Sequence, residues 1–340
     1  SRRGLIAEHG ISWILPKLIG HAHAMDILFT GRVFLAEEAF KIGFNKIGIA
    51  KPEVIKEDAK NLDLWLKKGN HAEMEWIKNR RDERVDIKKY YPEAKSIISL
   101  GINYFAGKNQ DQIKSGFKFS NYAWGDDYHL VIKKKLRLLL QQIKNYNTVI
   151  DGIACVDTSP VMEKYWAQRS GIGWQGKHTN LITRDYGSWI FLGELILNIE
   201  LEYDASFDDD LCGTCTACID SCPTSALADY QLDSRKCISY WSIEHRGDFE
   251  EKQNIDLHDW IYGCDICQEV CPWNITFAQI TDKKSFHPRS EIFDWTEKEW
   301  KQMDQKKFSS LFKNSSVKRA KFSGLSRNIN KNLINKGEVK

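Results

Sequence analysis

Apolar residues recur along the first two-thirds of the chain with the spacing of strands and helices. Nearly continuous apolar runs at 45–51, 95–104 and 188–201 predict buried strands, and the run at 149–156 predicts a fourth. At 130–145, apolar residues lie three or four positions apart among lysines, which predicts an amphipathic helix. Strands and helices therefore alternate, and this part of the chain is expected to form a mixed α/β or α+β domain.

The pattern changes twice further along the chain. An acidic stretch at 200–210 marks a linker, and the residues beyond Pro288 become helical and basic. We therefore predict an α+β fold. Its predicted parts, in chain order, are a separate N-terminal segment at 1–38, an α/β domain at 39–205, a cysteine-rich module at 206–285 and a short basic helical segment at 286–340.

Composition excludes two broad classes of protein. The 340 residues are 42% hydrophobic and 28% charged, which supplies a packed core and excludes general disorder. No apolar run approaches the roughly 18 residues of a membrane-spanning helix. The first ten residues lack the charged-then-apolar order of a secretory signal. We expect neither a membrane span nor export.

Charge is divided unevenly along the chain. Residues 301–340 hold nine Lys and two Arg against Asp304 and Glu338, a net charge of +9 within a total of +3. The first 300 residues therefore carry a net charge of −6. Such a separation is typical of a protein with a basic surface for a polyanion.

Eight of the nine cysteines fall in one 60-residue stretch, and their spacing is the strongest chemical signal in the sequence. The first run has the spacing C-x2-C-x2-C-x3-C-P, which is that of bacterial ferredoxins. In such runs three thiolates bind one 4Fe–4S cluster and the fourth crosses to a second cluster. The first run consists of Cys212, Cys215, Cys218 and Cys222, followed by Pro223.

The second run consists of Cys264, Cys267 and Cys271, followed by Pro272. It has three cysteines instead of four, and Cys237 upstream supplies the fourth. Two clusters with crossed ligands follow from this arrangement. The first cluster is predicted to take Cys212, Cys215, Cys218 and Cys271, and the second Cys222, Cys237, Cys264 and Cys267. Two zinc sites are the alternative, since paired cysteines also bind zinc, but two CxxxCP endings favour 4Fe–4S clusters. Two adjacent clusters relay single electrons.

Several other residues have both a structural and a functional interpretation. Cys155 is expected to be a buried apolar thiol. Asp157 follows a predicted strand, where loops carry chemistry, but it is also a suitable helix N-cap. The glycine-rich turn at 171–178 spells GxGxxG without the preceding strand of a dinucleotide site. His129 and His178 are expected to be hydrogen-bonded structural residues.

Six motifs, together with the cysteine runs, resemble the epoxyqueuosine reductase family over about residues 39–335. They are Trp124-Gly-Asp-Asp-Tyr-His129, Val156-Asp-Thr-Ser-Pro160, Gly171-Ile-Gly-Trp-Gln-Gly-Lys-His178, Gly187-Ser-Trp-Ile-Phe-Leu-Gly-Glu194, Cys237-Ile-Ser-Tyr240 and Tyr262-Gly-Cys-Asp-Ile-Cys-Gln268. The family's enzymes use cobalamin and two 4Fe–4S clusters to remove an epoxide oxygen from the wobble base of tRNA. The resemblance implies that the 39–205 domain binds the corrinoid.

The resemblance also implies roles for individual residues. Asp157 matches the aspartate proposed as the proton donor, which requires that burial against the corrin raise its pKa. The cobalamin contacts implied by the same matching are Arg84, Ser120, Asp157, Leu181, Leu192, Ser239 and Asp265.

The implied partners are a tRNA carrying epoxyqueuosine, held by the basic segment, and an unidentified low-potential electron donor. We expect a cytoplasmic monomer. Two other functions remain open at this stage. One is a corrinoid-dependent reductive dehalogenase, although such enzymes usually carry a twin-arginine signal; the other is a ferredoxin-like electron carrier.

The sequence departs from the family at both ends. It stops soon after the basic segment, where many members continue into a helical-repeat tail, so it resembles a short form. Residues 1–38 instead resemble a fragment of an enoyl-CoA hydratase, too short for that activity, and suggest a fused reading frame. A divergent N-terminal helix is the alternative.

Overall fold

The computed structural model describes residues 31–253 and 255–337. Its α-helices are α1 (Gly31–Ile42), α2 (Glu57–Lys67), α3 (Glu75–Asn79), α4 (Arg81–Val85), α5 (Ile87–Tyr90), α6 (Tyr128–Tyr146), α7 (Glu163–Arg169), α8 (Ala217–Asp220), α9 (Ile266–Glu269), α10 (Pro272–Phe277), α11 (Ser290–Asp294), α12 (Glu297–Lys301), α13 (Gln305–Leu311) and α14 (Lys321–Asn335). Its strands are β1 (Lys46–Ala50), β2 (Ser96–Asn103), β3 (Lys118–Phe119), β4 (Gly152–Cys155), β5 (Trp174–Gln175), β6 (Leu181–Ile182), β7 (Ile190–Leu197), β8 (Leu227–Ala228), β9 (Gln231–Leu232) and β10 (Trp260–Tyr262).

A four-stranded sheet in the order β1-β2-β7-β4 forms the centre of the first domain. Every neighbouring pair in it is antiparallel. The two central strands, β2 and β7, are buried along their whole length. This explains their continuous apolar runs, because both faces of the sheet are covered by other elements.

Helix α6 covers one face of this sheet. Its buried residues recur at helical spacing, and Ile132 and Leu136 pack with Leu195 and other residues on one side of β7. On the opposite face, Trp166 of α7 packs with Ile196, which alternates with Leu195 along the strand. The sheet is thus sandwiched between α6 and a layer that contains α7.

A second core, rich in aromatic residues, joins distant parts of the chain. Phe117, Phe119 and Trp124 pack there against Tyr262 and against residues of the basic C-terminal segment, including Trp300 and Phe312. Strand β3 pairs in parallel with β10 in the same region. The C-terminal segment is therefore packed onto both the first domain and the cysteine module.

The predicted α+β fold class is confirmed. The four predicted strands correspond to β1, β2, β4 and β7, and the predicted helix at 130–145 lies within α6. The domain boundary predicted after residue 38 falls inside α1, so residues 31–38 continue into the first domain. Residues 1–30, with most of the hydratase-like stretch, lie outside the described residues. Within the described ranges, no helix is long and apolar enough to cross a membrane.

Candidate active site

A large cavity opens where the first domain meets the C-terminal segment. It has a volume of 1100 Å³ and is lined from α2, the start of α6, the β4–α7 loop and the residues just before α14. A smaller cavity of 250 Å³ adjoins it, and the two share Tyr122, Tyr128, Glu163 and Lys164. Together they exceed the roughly 300–1,000 Å³ of pockets that hold drug-sized ligands. The site therefore suits a large ligand, or a cofactor and a substrate together.

Asp157 lies in the wall of the large cavity, in the loop that joins β4 to α7. Its side chain is 58% exposed because it faces this open space. Its carboxylate Oδ2 lies 3.1 Å from His129 Nε2. The N-cap residue of α7 is Met162, so the helix-cap interpretation of Asp157 is wrong.

His129 connects Asp157 to a second carboxylate. Asp127 is the N-cap of α6 and accepts a hydrogen bond from the His129 backbone N–H at 3.0 Å. The same Asp127 oxygen lies 2.7 Å from His129 Nδ1. Burial lowers the pKa of His129, but the hydrogen bonds and charges of Asp127 and Asp157 outweigh it and raise that pKa to about 9. His129 is thus a cation at neutral pH and belongs to the site.

The electrostatics of Asp157 differ from the sequence-based expectation. Burial would raise its pKa, but the hydrogen bond and positive charge of His129, with the Tyr128 hydroxyl, outweigh burial and lower the pKa below its usual value. The raised pKa expected from burial against a corrin is thus not a property of the protein surroundings alone, and it stays a prediction. At neutral pH the proton of this pair lies on His129.

Glu163 and Lys164, at the start of α7, line both cavities. Burial and the nearby Asp157 carboxylate raise the pKa of Glu163 to about 8. Lys164 Nζ donates hydrogen bonds to the Thr179 carbonyl and to Asn180 Oδ1, both at 2.9 Å. Burial in the cavity wall lowers the pKa of Lys164. Neither residue was singled out from the sequence.

The residues predicted to contact cobalamin fall into three groups. Arg84 and Asp157 line the large cavity, and Leu181 and Leu192 line the small one. Arg84 Nε is buried and has no hydrogen-bond partner among the residues that the structure describes.

The second group of predicted cobalamin contacts is a buried pair, Ser120 and Asp265. Ser120 Oγ donates to Asp265 Oδ1 at 2.5 Å, and the Asn121 backbone N–H donates to Asp265 Oδ2 at 2.6 Å. The third is Ser239, which lines neither cavity and instead provides hydrogen bonds to the Cys237 thiol. Ser120 and Asp265 are absent from both linings as well. The structure therefore brings only part of the predicted set to the cavity walls.

The electrostatic neighbours of the eight clustered cysteines agree only in part with the crossed sets predicted from their spacing, because the Cys218 thiol of the first predicted set also acts on Cys267 of the second. The ligand sets therefore remain a prediction. Burial raises the pKa of Cys218 to about 11, and the neighbouring thiols of Cys271, Cys212 and Cys215 contribute to the shift. The Cys264 and Cys267 thiols likewise have pKa values raised by burial and by Cys237. Cys222 also acts on Cys267.

Exposure varies more within the first predicted set than within the second. In the first set Cys215 is exposed at the surface while Cys218 and Cys271 are buried, and the four cysteines of the second set are all half-buried. Cys267 of the second acts electrostatically on Tyr104 and Lys164, which line the small cavity. Cys155 belongs to neither predicted set. It lies fully buried in the sheet, where burial raises its pKa to about 12, as expected of an apolar core thiol.

Two family models match the chain. Residues 84–158 match "Epoxyqueuosine reductase QueG, DUF1730", and residues 211–274 match a 4Fe-4S double cluster binding domain. The second match identifies the cysteine module as a carrier of two 4Fe–4S clusters and excludes the zinc alternative.

Relatives cover most of the chain. Epoxyqueuosine reductase of Cellulophaga algicola is 42% identical over 293 residues, which are 86% of this chain and 94% of that protein. A structure of epoxyqueuosine reductase with an epoxyqueuosine-modified tRNA-Tyr stem loop is 30% identical, with a TM-score of 0.80 over 88% of this chain and 80% of that one.

A third relative is the Bacillus subtilis epoxyqueuosine reductase, in a structure whose catalytic aspartate loop has swung out of the active site. It is 28% identical, with a TM-score of 0.80 over 90% of this chain and 81% of that one. By sequence, by fold and by the two matched models, this chain belongs to the epoxyqueuosine reductase family.

Proposed function

We propose that this chain reduces the epoxide of epoxyqueuosine in the wobble position of tRNA to the alkene of queuosine. The reaction consumes two electrons and two protons, and the epoxide oxygen leaves as water. The observation that carries the proposal is an acid–base pair, Asp157 and His129, in the wall of a large cavity whose smaller neighbour lies near Cys267. Two 4Fe–4S clusters supply electrons singly, and the pair supplies protons.

Cobalamin is the cofactor that we assign to the cavities. The residues present fit it: the walls combine aromatic and apolar side chains with Arg84, whose buried Nε lacks a partner and suits an amide or phosphate oxygen of the cofactor tail. Leu181 and Leu192 would pack on its apolar edge. When bound, cobalamin supplies the reductive cobalt chemistry that no amino-acid side chain provides.

The two cysteine sets would hold the clusters, which would supply single electrons. A donor would approach the first set at its exposed residue, Cys215, whereas Cys267 of the second set acts electrostatically on Lys164 in the wall of the small cavity. We assign the cluster ligands as the two crossed sets given above. We further propose a low-potential one-electron donor, action as a monomer, and a cytoplasmic location, where tRNA is found.

Protons would pass from His129 through Asp157 to the substrate. Asp157 faces the cavity, and His129 holds a proton within 3.1 Å of it. Each proton would move from His129, which Asp127 orients through Nδ1, to the Asp157 carboxylate and from there to the leaving oxygen. The catalytic aspartate loop of the Bacillus subtilis relative adopts a swung-out position, and we infer that the Asp157 loop has two positions as well.

The direct test is conversion of the modified base. Anaerobic protein with both clusters, added cobalamin and a low-potential reductant is incubated with epoxyqueuosine-containing tRNA, and the nucleosides are analysed by mass spectrometry. Loss of one oxygen from epoxyqueuosine is expected. Turnover of a halogenated small molecule but not of tRNA would identify a dehalogenase, and a protein that binds no cobalamin would be an electron carrier.

Turnover is expected to fall as the pH rises through about 9, because the raised pKa of His129 keeps it protonated below that value and neutral above it. In His129→Gln, turnover at pH 7.5 should fall roughly tenfold or more, and the decline near pH 9 should disappear. The measurement is the pH profile of kcat for both proteins, with iron content checked. An unchanged profile in the variant would remove His129 from the proton path.

The tRNA contacts of the basic segment are also testable. Lys318 lines the cavity, whereas Arg319 is already paired with Glu244 at 2.6 Å and stacked on Trp76. Lys318→Gln with Lys321→Gln should weaken tRNA binding and reduce the salt-dependence slope by roughly two, if each lysine meets a phosphate.

The matched control for that test is Lys95→Gln with Lys144→Gln. Lys144 lies near the end of α6 that is remote from the cavity, and Lys95 precedes β2. Fluorescence anisotropy of a labelled anticodon stem loop at several salt concentrations measures both slopes. Equal slopes in the two double variants would show that Lys318 and Lys321 only face solvent.

A further inference from the structure

The loop that carries Asp157 has an unfavourable backbone conformation. Asp157 has a φ of 46°, in the left-handed region that favours glycine. The chain turns tightly around it: the Thr158 N–H donates to the Val156 carbonyl, and the Val161 N–H donates to the Ser159 carbonyl at 2.8 Å. A non-glycine residue keeps such a conformation only where its surroundings hold it.

Glu163 provides a contact that holds this conformation. Its Oε1 accepts a hydrogen bond from the Asp157 backbone N–H. Glu163 is the first residue of α7, and Trp166 and Ala167 of that helix are fully buried against the sheet. The acceptor is therefore anchored to the core through α7 and not through the loop itself. A carboxyl group retains an acceptor oxygen in either protonation state, so the contact does not require Glu163 to be ionised.

A buried polar row lies behind Glu163. Glu194 of β7 is fully buried, and its register partners on either side are Ser99 and Cys155. Burial, then the negative charge of Glu163 and a side-chain hydrogen bond with it, raise the pKa of Glu194 well above its usual value. Glu194 is thus a neutral group that contacts Glu163 from the side of the sheet.

We propose that Glu163 is a positioning residue: its carboxyl group latches the Asp157 loop in the orientation that directs the Asp157 carboxylate toward His129 and the cavity. The inference rests on the proposed function, because the orientation matters for turnover only if Asp157 delivers a proton. Breaking the Glu163 contact would release the strained turn, and Asp157 would spend less time beside His129. The latch is distinct from proton delivery, since Glu163 acts on the backbone N–H of Asp157.

Two variants of nearly equal length separate these roles. Glu163→Gln keeps a carbonyl oxygen that can accept from the Asp157 N–H but has no acidic proton. Glu163→Met removes the acceptor. We expect kcat near the wild-type value for Glu163→Gln and about a hundredfold lower for Glu163→Met, the scale of a small misplacement of a catalytic group. Affinity for tRNA should not change in either variant.

A second readout does not depend on turnover. Hydrogen exchange of a peptide that spans residues 153–162, followed by mass spectrometry, should be faster in Glu163→Met than in wild type and unchanged in Glu163→Gln. Glu53→Met is the control, because Glu53 pairs with Arg169 at the other end of α7, at 2.8 Å, and should alter neither readout. Glu163→Ala replaces Glu163→Met if the latter yields no folded, iron-loaded protein.

Each contrary outcome is informative. Equal loss of kcat in Glu163→Gln and Glu163→Met would show that the proton or charge of Glu163 is needed and would overturn the latch. Wild-type kcat in Glu163→Met, or unchanged exchange in it, would overturn it too. If wild-type protein reduces no epoxide, the proposed function fails, whereas the exchange experiment still decides whether Glu163 holds the loop.

Discussion

Asp157→Asn is expected to lower the rate of epoxide reduction about 100- to 10,000-fold, the usual cost of losing a general acid. Asparagine keeps the shape of the side chain and can still hydrogen-bond to His129, but it has no acidic proton to transfer. Iron content should be unchanged, because the Asp157 carboxyl is not a ligand in either predicted cluster set, and cobalamin content should be unchanged, because asparagine can keep the polar contact that Asp157 is predicted to make with it. Single-turnover kinetics on modified tRNA, with both cofactors assayed on the same sample, measure this effect.

The control for this variant is Asp151→Asn. Asp151 lies just before β4, at the end of the strand opposite Asp157, and pairs with Lys144 at the surface. It should retain wild-type turnover, since it is remote from the cavity. Near wild-type turnover in fully loaded Asp157→Asn would exclude Asp157 as the acid. His129, whose pKa of about 9 keeps it protonated at neutral pH, would then become the candidate for direct proton transfer.

Cys267→Ser is expected to abolish turnover and to reduce iron from about eight to about four atoms per chain, because a cubane cluster needs four thiolates. Cys267 belongs to the predicted set nearest the small cavity, so its loss would interrupt electron transfer to the cavities. The first cluster should survive, since its predicted ligands are Cys212, Cys215, Cys218 and Cys271. Iron and sulfide assays with electron paramagnetic resonance of the reduced protein measure both effects.

Cys155→Ser is the matched control for the cluster variant. Cys155 is a fully buried core thiol in β4, so the substitution should leave iron content and electron transfer unchanged. Retention of about eight iron atoms in Cys267→Ser would contradict the assignment of Cys267 as a cluster ligand. Loss of both clusters would instead mean that they fold as one unit.

Much of the fold and of the cluster chemistry follows from the sequence because the determining patterns are local. A fully buried strand is recognisable from its continuous apolar run, as for β2 and β7, and an amphipathic helix from its period, as for α6. Cluster ligands are equally local, since two-residue gaps hold thiolates near one cube. The resemblance to a family added Asp157 as a candidate acid.

Other features depend on contacts between residues that are far apart in the chain. His129 meets Asp157 across 28 positions, and the only sequence signal for it was its place after Asp127 in one motif. Ser120 meets Asp265 across 145 positions, so a residue predicted to contact cobalamin turned out to have a buried protein partner. The packing of the basic segment with residues 117–124 is another such contact, and the predicted domain boundaries stay a prediction.

The sequence alone determined the strands, the long helix and the eight candidate cluster ligands, because each depends on residue spacing within one short segment. Only the tertiary structure decided the protonation of the Asp157–His129 pair and the contact of Glu163 with the Asp157 loop. A pKa depends on the sum of burial, charge and hydrogen bonds around a group, and those neighbours come from α6, α7 and the β4–α7 loop. Their distances are set by how the sheet and helices pack, which no local pattern encodes.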